Sequence, residues 1–179
     1  MKKLFLTILI GLLSTVTYSQ ESVTYNEVVE LDSTSTKNLI FQSVNTWFST
    51  TYNSASSVIQ MNDKDAGIII GKGTMSYTYP GIAYTCYSGH INYTIKVVVK
   101  DGKYKVEISD FRHENLPSYD RSCELGLITT DPEYNGGPNM SKKYSTKVWV
   151  DIKTKIETYS QSLINNLEEE VKNNIDSDF

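Results

Sequence analysis

Histidine and cysteine are scarce in this chain: His90, His113, Cys86 and Cys123 are all that 179 residues contain. That supply excludes much of the chemistry built on them. "HENLP", from His113, lacks the second histidine four residues on that a helical zinc protease requires, and no nucleophile–base set is spelled out anywhere. Lysine and arginine form no dense stripe, and acidic residues outnumber them, 21 to 17. Affinity for DNA or RNA rests on neutralising phosphates, so no nucleic-acid partner is expected. After residue 13 no apolar run approaches the length that crosses a bilayer, so no membrane span is expected.

What is present begins with a leader. Lys2 and Lys3 precede the ten-residue apolar run Leu4–Leu13, and Thr17 and Ser19 mark a small-residue exit before Gln20. Residues 1–19 are therefore read as a signal peptide, and no cysteine near the cut offers a lipid anchor. The expected product is exported, periplasmic or secreted, and soluble. Losing Lys2 and Lys3 leaves 15 basic residues against 21 acidic ones, a net charge of −6 over residues 20–179. That length suits a single domain. In an oxidising compartment Cys86 and Cys123 are expected to form one disulfide.

"SVTYNEVVEL", from Ser22, mixes β-branched and aromatic residues with polar ones and reads as a first strand. Leu39, Ile40, Val44, Trp47, Phe48 and Tyr52 then recur at helical spacings, predicting an amphipathic helix from about Thr36 to Tyr52. "AGIIIGKGTMSY", Ala66–Tyr77, has the look of a phosphate-binding loop. However, three residues separate Gly67 from Gly71 where four are needed, and Gly73 follows the lysine where Ser or Thr belongs. The run continues as β-type sequence, so it is read as the second arm of a hairpin turning near Asn62–Gly67. Its glycines are read as a bulge, a bend or a close approach of another backbone.

The strongest local signal is Asp101-Gly102, a two-residue loop between two long alternating runs. It sets a register in which facing residues sum to 203. Val99 faces Tyr104, Val97 faces Val106 and Ile95 faces Ile108 on an apolar side. Lys96 meets Glu107, Thr94 meets Ser109, Asn92 meets Phe111 and His90 meets His113 on a polar side. Asp110 and Arg112 fall on the side opposite the histidines. From Asn115 to Thr146 no period is visible, and a loop this long is usually functional or loosely ordered. Ile152, Ile156, Tyr159, Leu163, Leu167 and Val171 predict a final helix from about Val150. Strand, helix, four strands and helix make an α+β chain, an antiparallel sheet with two helices packed on one face.

Three stretches carry a resemblance: "NTWFSTTYNSASSVIQMNDKDAGIIIGKGTMSY", "YTIKVVVKDGKYKVEISDF" and "YSQSLINNLEEEV". They resemble the domain of unknown function with a TBP-like fold found in exported proteins of Bacteroidetes. The resemblance implies the same β-α-β-β-β-β-α order and brings no assigned activity and no catalytic residues. "TBP-like" describes a shape only, and function has to be argued from a site.

His90 and His113, facing each other in the inferred register, can hold a divalent metal if Glu114 or the long loop adds oxygen. The plainer reading is two surface histidines, and no metal, cofactor or catalytic residue is assigned. Asp120, Glu124, Asp131 and Glu133 show no calcium-loop spacing. Tyr77, Tyr79, Tyr84, Tyr87 and Tyr93 crowd the middle strands and are read mostly as packing. The expected role is a non-catalytic, exported binding or interaction module of the cell envelope. It would use the uncovered sheet face and the long loop against a protein or glycan partner, or a second copy. The alternative is a metal-assisted hydrolase centred on His90 and His113.

Overall fold

A computed structural model of the chain describes residues 21–32, 34–119, 123–136 and 141–177. The expected leader and Asp120 lie outside the described residues. In chain order the elements are β1 (Tyr25–Glu30), α1 (Lys37–Thr51), the single turn α2 (Ala55–Val58), β2 (Ile59–Asp63), β3 (Ile68–Tyr77), β4 (Gly89–Lys100), β5 (Lys103–Asn115), β6 (Gly126–Leu127) and α3 (Lys142–Ser177). A 3-10 segment, Ile82–Tyr87, joins β3 to β4. The strands form one antiparallel sheet in the order β1-β5-β4-β3-β2, and β6 continues along the outer edge of β5 beyond β1.

Both long helices lie on the same face of the sheet, as their sequence stripes require. The Thr36 hydroxyl caps α1 by accepting the Leu39 N–H at 3.3 Å. Ile40, Val44, Trp47 and Phe48 are then fully buried, as are Val148, Ile152, Ile156, Leu167 and Val171 of α3. Asn166 Oδ1 ties the helices together, accepting from Trp47 Nε1 at 2.8 Å and from the Thr51 hydroxyl at 3.5 Å. Lys37, at the start of α1, reaches the turns of both hairpins. Its backbone N–H donates to Asp101 Oδ1 at 2.6 Å and its Nζ to the Asp65 carbonyl at 2.6 Å.

The Asp101-Gly102 loop does set the register, but only for half of the hairpin. Val99–Tyr104, Val97–Val106, Ile95–Ile108, Lys96–Glu107 and Thr94–Ser109 all pair as expected. The apolar set is buried, while Lys96 lies on the other face. Beyond Thr94 the pairing shifts by one residue. Tyr93 faces both Asp110 and Phe111, and from there Asn92 pairs with Arg112, Ile91 with His113 and His90 with Glu114. This is a β-bulge whose extra residue, Asp110, sits at φ 57°, a left-handed conformation that aspartate tolerates better than most side chains. A one-residue shift exchanges the two faces of a strand. Phe111 and His113 therefore join the core, while Asp110 and Arg112 turn outward, the reverse of the sequence expectation. His90 and His113 do not face each other.

The glycines of "GKG" mark close approaches of aromatic rings from the covered side. A Cβ on Gly71 would press on the Phe48 ring, and one on Gly73 would overlap the Tyr93 ring lying across it. Filling that space forces the Tyr93 ring aside. Gly73→Ala is expected to cost about 1–3 kcal/mol, read as a lower denaturant midpoint at unchanged slope. Part of the unpatterned stretch takes regular structure. It contributes β6, and Ser22 bridges to Thr129. α3 begins at Lys142, about two turns before the predicted start, and buries Ser145, Val148 and Trp149.

Candidate functional site

His113 sits at the end of β5, fully buried, with both ring nitrogens engaged by backbone. Nε2 lies 2.9 Å from the Tyr87 carbonyl, and Nδ1 accepts the Leu125 N–H at 3.2 Å. Nδ1 needs a lone pair for that bond, so the ring is the neutral tautomer that donates from Nε2. Burial pushes its pKa below the ordinary histidine value, against smaller opposing effects of the Tyr87 carbonyl, Glu124 and Glu114. Cys86, next to Tyr87, and Cys123, two residues before Leu125, are joined in a disulfide with a Cα–Cα distance of 5.7 Å. His113 is thus a fastening between β5 and two segments that the disulfide also ties. His90 stands exposed on the far face, between Glu114 and Ser76. Of the candidates, His90 and Glu114 are cross-strand partners on the open face, while His113 is buried on the other side of the sheet. Among the described residues no three His, Cys, Asp or Glu side chains are grouped to hold a metal ion.

The tyrosines divide in two. Tyr77, Tyr87 and Tyr93 are buried, and Tyr79 and Tyr84 are half-buried against the core. The Tyr93 hydroxyl lies 3.1 Å from that of Tyr52 and 3.2 Å from that of Tyr159, linking α1, the sheet and α3. Burial raises the pKa of Tyr93, with the neighbouring phenols adding to it, and pushes Tyr52 up to about 12. These phenols are neutral packing groups at any physiological pH.

What remains is the face of the sheet that no helix covers. Around the bulge, three cross-strand rows lie on it: Ser109–Thr94–Lys72, Arg112–Asn92–Thr74 and Glu114–His90–Ser76. They border a groove of about 610 Å³ lined by Lys72, Thr74, Asn92, Thr94, Asp110 and Arg112, with Glu114 and Leu127 at its side. The Thr74 hydroxyl donates to Asn92 Oδ1 at 2.8 Å, which leaves the Asn92 amide donors for the groove. Lys72, Asp110, Arg112 and Glu114 make no ion pair among the described residues. The groove therefore offers cations, carboxylates, a hydroxyl and an amide, all suited to directional hydrogen bonding, with no activated nucleophile beside them. Sequence reasoning missed Asp110 and Arg112 because it carried strict alternation through the bulge. The signal was available in the apolar positions Tyr104, Val106, Ile108 and Phe111, whose last spacing is three instead of two.

An open antiparallel sheet with two helices packed on one face and a hydrogen-bonding groove on the other defines an α+β domain of TBP-like shape. The chain belongs to the family described as a domain of unknown function (DUF4468) with TBP-like fold, which matches residues 25–114. It is similar to the crystal structure of a TBP-like protein from Parabacteroides distasonis, at 16% identity over 82% of this chain and 93% of that one, with a TM-score of 0.54. It is likewise similar to a DUF4468 family protein from Bacteroides ovatus, at 13% identity over 84% of this chain and 86% of that one, with a TM-score of 0.58. At these identities the likeness is one of fold. No curated protein sequence matches the chain.

Proposed function

We propose that the protein is a non-catalytic binding module working outside the cytoplasm, which presents the uncovered face of its sheet to a protein or glycan partner of the cell envelope. One observation carries this reading: four charged side chains without ion-pair partners among the described residues border a groove on a rigid sheet. Unpaired charges around a hydrogen-bonding floor are suited to fixing the orientation of a polar ligand. Rigid strands hold such groups more accurately than loops do. Placement outside the cytoplasm is supported by the charged and apolar leader and by a disulfide of the kind that persists in oxidising compartments.

The test is charge reversal in the groove. Lys72→Glu with Arg112→Glu is expected to leave the thermal midpoint within a few degrees, because exposed substitutions usually change stability by about 0.5 kcal/mol or less. Binding to the glycans and peptides that the native protein selects from an immobilised collection should fall at least tenfold. Undiminished binding by the folded double variant would overturn the reading.

A further inference from the structure

Backbone hydrogen bonding leaves part of one edge of the groove open. The Val99 N–H donates to the Gly67 carbonyl at 2.8 Å, so these two residues form a hydrogen-bonded pair at the start of the β3–β4 ladder. In an antiparallel ladder such pairs recur at every second residue. Ile69, Gly71, Gly73, Met75 and Tyr77 therefore turn their N–H and C=O groups toward β4. Ile68, Ile70, Lys72, Thr74 and Ser76 turn theirs the other way. β2 takes up that outward set at Ile68 and Ile70, opposite Asp63 and Met61, and its pairing ends at Ile59 with Gly71. Ile59 and Gly71 are a non-hydrogen-bonded pair, which sets the Lys72 N–H against Val58, so the open set is the Lys72 carbonyl with the N–H and C=O groups of Thr74 and Ser76, all on exposed residues. No other strand among the described residues pairs with them. Six residues of open strand span roughly 20 Å.

The opposite edge is closed. β1 and β6 both pair with β5, and the Ser22–Thr129 bridge continues the cover. Proteins usually guard an open edge with proline, a bulge or charge. Here there is no proline between Lys72 and Tyr77, and the single charge is Lys72. Donors and acceptors that repeat at every second residue match the repeat of another extended backbone, which a pyranose chain does not share. Lys72 has no ion pair among the described residues, so a negative side chain on the incoming strand would be its complement.

We propose that the edge of β3 from Lys72 to Ser76 accepts an extended peptide segment of a partner protein as an added strand, with an acidic side chain beside Lys72. This rests on the groove reading, since Lys72 and Thr74 belong to both surfaces, and narrows the partner to a polypeptide. The Thr74 N–H points outward, so Thr74→Pro removes an edge donor and leaves the β3–β4 ladder intact.

The probe is a phage-displayed library of random octapeptides selected on the oxidised protein, with the selected peptides then synthesised and titrated by fluorescence anisotropy. Selected peptides are expected to alternate polar and apolar residues around an Asp or Glu. Their affinity should fall at least tenfold with Thr74→Pro and several-fold with Lys72→Glu. Amide exchange gives a second readout that needs no variant. The Thr74 and Ser76 N–H groups should exchange quickly in the free protein and slow when the peptide is bound. Peptides that keep their affinity for Thr74→Pro and lose it for Arg112→Glu would overturn the edge docking and leave the groove reading standing. A selection that returns no peptide, or bound peptide with the Thr74 and Ser76 amides still unprotected, would likewise overturn it.

Discussion

Replacing both bridge cysteines, Cys86→Ser with Cys123→Ser, is expected to lower the free energy of unfolding by up to about 4 kcal/mol. The bridge closes a loop with a sequence separation of 37 residues. On the chain-entropy account, the open form gains that much freedom only when unfolded. The effect should concentrate at one end of the molecule, because the bond joins the 3-10 segment to the strand-forming stretch after Cys123. β6, the Ser22–Thr129 bridge and the bond from Leu125 to His113 all depend on where that stretch lies. Guanidinium unfolding of the oxidised protein and the double variant measures the difference. Equal midpoints would show that the sheet holds this segment without the covalent tie. Mass spectrometry without reductant should find Cys86 and Cys123 in one linked peptide.

His113→Leu is the second large effect, expected to cost about 2–5 kcal/mol at pH 7.5. The substituent fills the space, but the Leu125 N–H and the Tyr87 carbonyl both lose their partner in the interior. Each such orphan costs about 1–3 kcal/mol. A pH signature accompanies it. Burial holds the folded-state pKa of His113 below the value near 6.5 of the unfolded chain, so protonation favours unfolding. The histidine's contribution is complete above about pH 6.5 and is lost as pH falls through its folded value. The slope is at most that of one proton, about 1.4 kcal/mol per pH unit. Denaturant midpoints taken from pH 7.5 to 5 should fall for the native chain, with that part of the fall absent from His113→Leu. A native curve that stays flat would refute the assignment. The two large effects should also combine to less than their sum, because the disulfide positions the segment that His113 bonds.

The fold was legible wherever side-chain periodicity was long and uninterrupted. Asp101-Gly102 sets five facing pairs correctly, from Val99–Tyr104 to Thr94–Ser109, and the stripes of α1 and the later turns of α3 follow from spacing alone. The reading failed at Asp110, where one extra residue transfers every later side chain of β5 to the other face. That single slip placed His113 in a surface pair and concealed Arg112, so the groove was not foreseen residue by residue, although an uncovered sheet face was. β6 is two residues long and has no period to detect. The first turns of α3, "KKYSTK", present no apolar stripe before Val148, so the helix starts earlier than hydrophobicity can indicate.

Lys37 gives the far end of the molecule its own fastening. With one residue moored to the carboxylate of Asp101 and the carbonyl of Asp65, the tips of both hairpins are lashed to the head of α1. The disulfide and His113 grip the other extremity. Between these two clamps lies the open face, so whatever settles there meets a surface stretched taut from both ends, like a drumhead held at its rims.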